Sequence, residues 1–301
     1  MSDEFTYYDL VKGVKSNDIS LIFDGWCGID ERIAILSPHD DDALLGAGYL
    51  ILGVMKAGGE LYIIIYCNGC GGYSSVELKD KIVSIRRSES LNAYLRLGVK
   101  EGNIVYFNYP DFSLKPYIGF LLPNGSEGTT SETIRLLRRI KPTRLIVPNE
   151  YREHMDHDAL SYIGSYDGPQ IGDPVLVDLG SPFTVKSYLK YCVWGDFSPE
   201  DALLTGRSLS LRGNIVVKVK SEVEEEVIKA LGEFKSQREI IKSIVEKRRD
   251  RLLNGYYIEV YQKFNPRPGV NYKPYKEKIA EIDRFNVACC SVSENNISRV
   301  E

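Results

Sequence analysis

All three histidines of the chain stand beside aspartates, in two short clusters. The first cluster is the run Ser37-Pro38-His39-Asp40-Asp41-Asp42, and the second is His154-Met155-Asp156-His157. Three adjacent carboxylates repel one another, so the first run is costly unless a cation lies nearby. Imidazole and carboxylate groups together suit zinc, whose catalytic sites use three protein ligands and a water molecule. The pattern predicts a metal site in which His39 and Asp42 are joined by a histidine of the second cluster.

The second cluster then leaves one histidine free for chemistry. A free histidine beside an activated water can stabilise an oxyanion or protonate a leaving group, and an adjacent aspartate can fix its tautomer. The plainer interpretation is that each histidine is a surface or core residue with one hydrogen bond. The two clusters hold every histidine of the chain and both follow predicted strands, which favours the metal site.

Strands and helices alternate along the first half of the chain. The apolar periodicity predicts strands at Arg32–Ser37, Glu60–Tyr66, Asn103–Phe107 and Arg144–Val147, with helices at Leu44–Lys56, Val76–Leu97 and Glu132–Ile140 between them. This order predicts an α/β fold, a Rossmann-like parallel sheet with helices on both faces. Ligands of such sheets bind beyond the carboxyl ends of the strands. We therefore expect both histidine clusters at the same edge of the sheet.

The second half predicts a smaller C-terminal β/α extension. Its elements are strands at Val175–Asp178, Lys186–Val193, Ile215–Lys220 and Tyr256–Phe264, and one long charged helix at Glu222–Arg249. The chain thus divides into an N-terminal extension (1–30), a main domain (31–264) and an irregular C-terminal tail (265–301).

Composition narrows the class of protein. The chain has 301 residues and a net charge of −4, and without a basic tract nucleic acid is not an expected partner. The longest apolar stretch, Ala43–Met55, is too short to span a bilayer, which takes about 20 residues. The N-terminus lacks the apolar core of a signal peptide, and six scattered cysteines suit a reducing compartment, so we expect a cytoplasmic protein. A homo-oligomer is compatible with the sequence.

The motifs resemble the LmbE-like, or PIG-L, de-N-acetylases. That family usually has His-Pro-Asp-Asp-Glu as its first motif and His-Pro-Asp-His as its second. Further similar segments follow in order from about Arg32 to about Gln237: Arg86-Arg87-Ser88-Glu89 before Leu97-Gly98-Val99, then Asn108-Tyr109-Pro110-Asp111, and finally Lys235-Ser236-Gln237. One short motif could match by chance, but a series of motifs in the family's order over some 200 residues is strong support for the resemblance.

The resemblance implies a zinc-dependent hydrolase that removes the acetyl group from an N-acetylated amino sugar, of the N-acetylglucosamine type, or from its conjugate. It implies zinc ligands at His39, Asp42 and His157, although another divalent metal is compatible with these donors. It also implies that Asp41 is the general base. His154 would stabilise the oxyanion or act as an acid, with Asp156 tuning it. Arg86 and Asp111 would contact the sugar.

Three positions depart from the family pattern. Asp40 and Met155 stand where each motif usually has proline, and Ala43 stands where an acidic residue is common. The implied ligands and base are all retained, so we expect activity. The additional carboxylate of Asp40 is expected to affect the metal preference or the charge of the pocket.

Other signals are weaker. Cys67 and Cys70 have the spacing of half a zinc site, but no second pair follows at a suitable distance. The segment Gly46-Ala47-Gly48 lacks the third glycine of a dinucleotide-binding motif. Three tyrosines are well placed to stack on a sugar: Tyr73, Tyr109 and Tyr151.

Three alternative functions remain open at this point. The first is a metal hydrolase of the same fold that cleaves another amide or an ester. The second is a nucleotide-sugar-binding or dinucleotide-binding protein without hydrolytic chemistry, which would tolerate Asp41→Asn. The third is a degenerate structural relative, against which the intact ligand set argues. The aglycone cannot be inferred from the fold, because one fold serves many substrates.

Overall fold

A computed structural model describes residues 4–204 and 208–294. Within them, ten strands form one mixed sheet. The strands are β1 (Phe5–Asp9), β2 (Val14–Ser16), β3 (Arg32–Ser37), β4 (Glu60–Cys67), β5 (Ile104–Tyr109), β6 (Arg144–Pro148), β7 (Ser187–Tyr191), β8 (Ile215–Lys220), β9 (Leu252–Leu253) and β10 (Tyr256–Phe264). Their order is β2-β1-β8-β10-β7-β6-β3-β4-β5, and β9 pairs with β10.

The half of the sheet that holds the predicted clusters is parallel. The strands β7, β6, β3, β4 and β5 all pair in parallel. β3 lies between β6 and β4, and its residues from Ile33 to Ser37 are all buried. Such a two-sided apolar strand is typical of the centre of a parallel sheet. This half confirms the predicted α/β class.

The other half is antiparallel, which the sequence did not predict. β10 pairs antiparallel with both β7 and β8, and β8 pairs antiparallel with β1. The strands β8 and β10 of the predicted C-terminal extension continue the same sheet. The segment 1–30, predicted as an extension, contributes β1 and β2 to that sheet.

Eight helices accompany these strands in the described ranges. They are α1 (Asp42–Lys56), α2 (Ile82–Arg96), α3 (Thr129–Ile140), α4 (Met155–Gln170), α5 (Pro199–Leu204), α6 (Ser221–Leu231), α7 (Arg238–Lys247) and α8 (Lys273–Glu294). The sheet has an apolar core on each face, because successive side chains of a strand point to opposite faces. Ile33 and Ile35 pack with α1, α2 and α6, whereas Ala34 and Leu36 pack with α3 and α4. Helices thus cover both faces of the parallel half, as predicted.

Three predictions of local structure were wrong. The segment Val175–Asp178 contains the start of a 3-10 turn and not a strand, and the long helix predicted at Glu222–Arg249 is broken into α6 and α7. The break falls at Gly232, where the helix ends and a 3-10 turn at Lys235–Gln237 follows. The tail predicted as irregular contains the 22-residue helix α8.

Helix α1 is kinked at Ala47, whose φ of −136° is not helical. The amide of Tyr49 donates to Glu259 Oε2 at 2.9 Å, and the carbonyl of Leu45 accepts from Arg248 Nη1 at 2.9 Å and Arg251 Nη2 at 3.0 Å. These two backbone groups would bond to each other in a regular helix. Charged side chains therefore satisfy both groups that the kink releases.

In the described part of the chain, the residues up to Pro266 lie in one compact unit, and residues 267–294 lie in a second, which contains α8. No helix within the described ranges combines the length and the apolar character that crossing a membrane requires.

Candidate functional site

The first histidine cluster forms a tight turn between β3 and α1. The amide of His39 donates to Asp42 Oδ2 at 2.8 Å, and the amide of Ala43 donates to Ser37 Oγ at 3.0 Å. Ser37 Oγ in turn donates to the His39 carbonyl at 2.6 Å. The turn is held by these local bonds, so the side chains of His39 and Asp42 face each other at the carboxyl end of the central strand.

The second cluster opens helix α4, which the sequence did not predict. His154 is the residue before the helix, and its Nδ1 accepts from the amide of Asp156 at 3.2 Å. Asp156 and His157 lie in the first turn of α4 and are completely buried. Since β6 neighbours β3, the two clusters meet at one edge of the sheet, as expected from the topology.

The structure brings His39, Asp42 and His157 together. Asp42 Oδ2 lies 2.9 Å from His39 Nδ1 and 3.0 Å from His157 Nε2. The possible ligand atoms of these three residues all lie within 4.8 Å of one another. Among the described residues, the buried His157 Nε2 has no well-formed hydrogen bond, although Asp42 Oδ2 lies 3.0 Å away. A buried nitrogen without a partner, next to a carboxylate, fits a cation that both atoms would bind.

The electrostatics of the trio also favour a cation. Burial lowers the pKa of His157, but Asp42 and the bonded Glu153 outweigh burial and raise it to about 9. Burial likewise opposes the charge of His39, and Asp42 with Asp156 raises its pKa well above the ordinary value. Burial disfavours the Asp42 carboxylate, yet the two histidines hold its pKa well below the usual range. The carboxylates thus attract positive charge to this point.

Glu153 is a site residue that the sequence analysis missed. Its Oε2 lies 2.9 Å from His157 Nδ1, and its Oε1 accepts from the amides of Val193, Trp194 and Gly195 at 2.7, 3.0 and 2.8 Å. The side chain is fully buried. Its position directly before His154 was visible in the sequence, but the loop after β7 that completes its hydrogen bonds was not.

Asp156 ties the site to the loop after β5. Its Oδ1 accepts from the Leu114 amide at 3.0 Å, and its Oδ2 accepts from the Phe112 amide at 2.6 Å. Oδ2 also lies 3.3 Å from His39 Nε2 and 3.6 Å from His154 Nδ1. Asp156 therefore contacts His39 more closely than His154, the residue that it was expected to tune.

The remaining aspartates of the first cluster differ in their partners. Arg86 Nε donates to Asp40 Oδ2 at 2.9 Å, and its Nη2 makes a second contact with Asp40 Oδ1. Asp41 Oδ1 lies farther away, 3.5 Å from Arg86 Nη2. Burial, reinforced by the charges of Asp40 and Asp42 and opposed by Arg86, raises the pKa of Asp41 to about 6. Asp40 is thus paired with Arg86, whereas Asp41 is left as a weakly acidic carboxyl.

Arg86 and Asp111, expected to contact the sugar, are engaged within the protein. Arg86 is only 5% exposed and is paired with Asp40. Asp111 accepts from the amides of Gly69 and Gly71 at 2.8 and 2.9 Å. Gly69 has a φ of +76°, and a side chain there would lie 2.8 Å from Arg86. In this structure both residues fix the glycine-rich loop Asn68–Gly72 beside the site.

Two of the family-like segments are joined in space. Glu89 accepts from the amide and the hydroxyl of Ser236 at 2.8 and 2.7 Å. Gln237 Nε2 donates to the carbonyl of Gly72 at 2.5 Å. The late Ser-Gln pair therefore supports α2 and the end of the glycine-rich loop.

Cys67 lies at the back of the site, and its thiol sulphur falls within 4.8 Å of possible ligand atoms of His39 and Asp156. Burial raises the pKa of this thiol, and nearby carboxylates raise it further. A neutral thiol is a poor metal ligand.

Exposed apolar side chains border the histidines. The ring of Phe112 lies 4.6 Å from that of His154, and the ring of Trp194 lies 5.1 Å from that of His157. Met155 is also exposed. Of the three tyrosines expected to stack on a sugar, Tyr109 is bonded to Glu132 and Tyr151 lies under the guanidinium of Arg152. Tyr73 is exposed.

Comparison with known structures shows the same fold. N,N'-diacetylchitobiose deacetylase from Pyrococcus horikoshii aligns with a TM-score of 0.59 and 19% identity, over 78% of this chain and 84% of that one. The hydratase GalB from Pseudomonas putida KT2440 aligns with a TM-score of 0.56 and 17% identity, over 80% of this chain and 99% of that one. The zinc-inhibited form of teicoplanin deacetylase Orf2 aligns with a TM-score of 0.52 and 17% identity, over 77% of this chain and 97% of that one. At these identities the likeness establishes the fold and not the substrate.

Sequence comparison gives a family. No curated protein matches the chain at a significant level. Residues 34–165 match the family model PIG-L, described as GlcNAc-PI de-N-acetylase, and this range includes both histidine clusters. The match covers 132 of the 301 residues, so it ties the region of the two histidine clusters, and not the whole chain, to the PIG-L (LmbE-like) de-N-acetylases.

Proposed function

We propose that this protein is a zinc-dependent hydrolase that removes the acetyl group from an N-acetylated amino sugar of the N-acetylglucosamine type, or from its conjugate. The trio His39, Asp42 and His157, in which Asp42 and His157 are buried and His157 has an unpartnered nitrogen, is the observation that carries the proposal. The family match to residues 34–165 supports the class of reaction.

The trio would hold the metal through two imidazoles and one carboxylate, a donor set typical of catalytic zinc. When bound there, zinc would polarise the acetamide carbonyl and lower the pKa of water. Asp41 is the proposed general base. With its pKa near 6, it is mostly ionised at neutral pH and still basic enough to accept the proton of the attacking water.

His154 is the proposed partner of the developing oxyanion. Its Nδ1 accepts the Asp156 amide, which leaves the proton of a neutral ring on Nε2. Burial, followed by the charge of His39, lowers the pKa of His154, so the neutral ring prevails at pH 7. A neutral ring suits hydrogen-bond donation to the oxyanion better than acid catalysis. Asp156 then serves to orient His39 and the loop around Phe112.

The experiment that tests this function is release of free amine and acetate from N-acetylglucosamine, N,N'-diacetylchitobiose and alkyl N-acetylglucosaminides. Zinc-loaded protein is compared with chelator-treated protein and with zinc-treated His157→Ala. We expect release only from the zinc-loaded wild type. Protein that holds one zinc per chain and releases nothing from any of these amides would overturn the proposal, and would favour another amide, an ester or a non-hydrolytic function.

A further inference from the structure

One cavity adjoins the histidines, although no histidine lines it. It measures about 920 Å³ and lies between the kinked part of α1, the loop Cys192–Gly195, helix α7 and strand β10. We call it the Trp194 cleft. Small-molecule sites typically have volumes of about 300 to 1,000 Å³, so the cleft is large enough for a body bigger than one sugar ring.

We propose that the Trp194 cleft binds the apolar aglycone of the substrate, while the acetylated sugar lies at the histidines. This inference rests on the proposed function, since it assigns the sugar end of the substrate to that site. It adds a substrate class: N-acetylamino sugars that carry an alkyl or aryl group.

The loop Cys192–Gly195 connects the cleft to the catalytic centre. Trp194 lines the cleft and is 49% exposed, and its ring lies 5.1 Å from that of the metal-ligand candidate His157. The amides of Trp194 and Gly195 hold Glu153, which bonds His157. A ligand that lies over Trp194 therefore borders the acetamide position on one side and the cleft on the other.

The charges at the base of the cleft are already paired. Arg248 donates to Glu224 at 2.8 and 2.6 Å, and Arg251 donates to Glu259 at 2.9 Å. Both arginines also bond the Leu45 carbonyl that the kink in α1 releases. These groups are occupied by the fold, so they offer no free counter-ion to a charged ligand.

The walls of the cleft are apolar and its rim carries charges of both signs. The wall side chains are those of Val193, Trp194, Ile240, Ile244, Ile258 and Val260. Ile240 is 57% exposed although it is a large apolar residue. The exposed rim residues Glu239, Lys247 and Asp250 do not select one sign of ligand charge. Exposed apolar surface in a concave site next to a catalytic centre is best explained by an apolar ligand group.

Titration calorimetry with hexyl β-D-glucoside tests the cleft without any chemistry, because this probe has no acetamide. We compare wild type with Ile240→Asp, which places a charge on the wall, and with Ile29→Asp as the matched control. Ile29 is 86% exposed and lies just before β3, at the opposite edge of the sheet from the histidines. We expect Ile240→Asp to weaken binding by about tenfold, since hexyl burial is lost, and Ile29→Asp to leave the Kd unchanged.

Equal affinity of wild type and Ile240→Asp, or no binding to either, would overturn the inference. In the deacetylation assay, the ratio of kcat/KM for the hexyl and methyl N-acetylglucosaminides should fall about tenfold in Ile240→Asp, through KM. Failure of the proposed function would show as absent acetate release while hexyl glucoside still binds. Failure of this inference would show as acetate release without any preference for the hexyl conjugate.

Discussion

Glu153 Oε2 lies 2.9 Å from His157 Nδ1, while Glu153 Oε1 is held by three consecutive backbone amides. An ionised carboxylate can only accept hydrogen bonds, so the proton of a neutral His157 ring belongs on Nδ1. This leaves the lone pair of Nε2 free towards Asp42. The loop after β7 thus determines, through Glu153, which tautomer a candidate metal ligand adopts.

Glu153→Gln should weaken metal binding with little loss of shape. The glutamine oxygen can keep the three backbone amides, but its NH2 group would then face His157 Nδ1 and favour the tautomer with its proton on Nε2. We expect zinc affinity to fall by about 10- to 100-fold, measured by competition with a chromophoric chelator. The control is Glu150→Gln, on the loop between β6 and α4 that also carries Glu153. Glu150 bonds Ser161 and Lys190, so this change should leave the zinc affinity unaltered. Equal zinc affinity of Glu153→Gln and wild type would contradict the tautomer argument.

Asp41→Asn should retain zinc and lose turnover by about 100-fold or more, because an amide cannot accept the proton. The pKa of about 6 also predicts the pH profile of the wild type. Asp41 acts only when ionised, so kcat/KM should fall as the pH drops below about 6. If Asp41→Asn kept the wild-type kcat/KM and the same fall of kcat/KM at low pH, Asp41 would not be the general base.

Arg86→Met should destabilise the fold, because it leaves Asp40 buried without its cation. Removing one partner of a buried ion pair costs about 3 to 5 kcal/mol. The double variant Asp40→Asn/Arg86→Met should recover most of the loss, since neither charge remains. Urea unfolding of the wild type and the two variants measures both steps. A double variant no more stable than Arg86→Met would show that Arg86 supports the fold through packing on the glycine-rich loop instead.

Asp167 predicts a pH-dependent stability remote from the chemistry. It is 7% exposed between α3 and α4, bonded to Thr130, and its Oδ2 has no partner in the described part of the chain. Burial raises its pKa to about 7 from an ordinary value of 3.8. The folded state therefore binds this proton more tightly than the unfolded chain, and stability is lost as the pH rises from about 4 to 7.

Asp167→Asn removes that loss and keeps an oxygen for Thr130. We expect the variant to be more stable than wild type by about 1 to 3 kcal/mol at pH 8, and by much less at pH 5. Urea unfolding at both pH values measures the difference, and the exposed Asp80→Asn serves as the control. A gain of the same size at both pH values would point to packing and not to ionisation.

The parallel half of the sheet and the closeness of the two histidine clusters could be predicted from the sequence. The two-sided apolar strands and the polar turns after them predicted β3 and β6 within a residue or two, and their adjacency follows from the βαβ order. His39, Asp42 and His157 were predicted as ligands from the rarity of histidine, their places at strand ends and the family resemblance; the structure brings the three together, and metal binding there stays a prediction.

The contacts between distant segments could not be predicted. Glu153 depends on three amides some 40 residues later, and the partner of Asp40 lies 46 residues away on α2. The sequence did not predict that the antiparallel strands join the same sheet, because alternating hydrophobicity indicates a strand but not the strand with which it pairs. Arg86 and Asp111 bond Asp40 and two glycine amides, partners that the sequence did not indicate, and their contact with a substrate stays a prediction.

The pairing of β1 with β8 has a consequence for how the chain folds during synthesis. Tyr7 lies opposite Val217, so the partner strand is made roughly 210 residues later. At about 5 to 20 residues per second, β1 waits on the order of 10 to 40 s for its neighbour. An unpaired strand edge that persists for so long invites association with other nascent chains. The antiparallel half of this sheet is therefore completed only after β10 has been synthesised, and the yield of folded protein in a cell should depend on chaperones more than its final stability suggests.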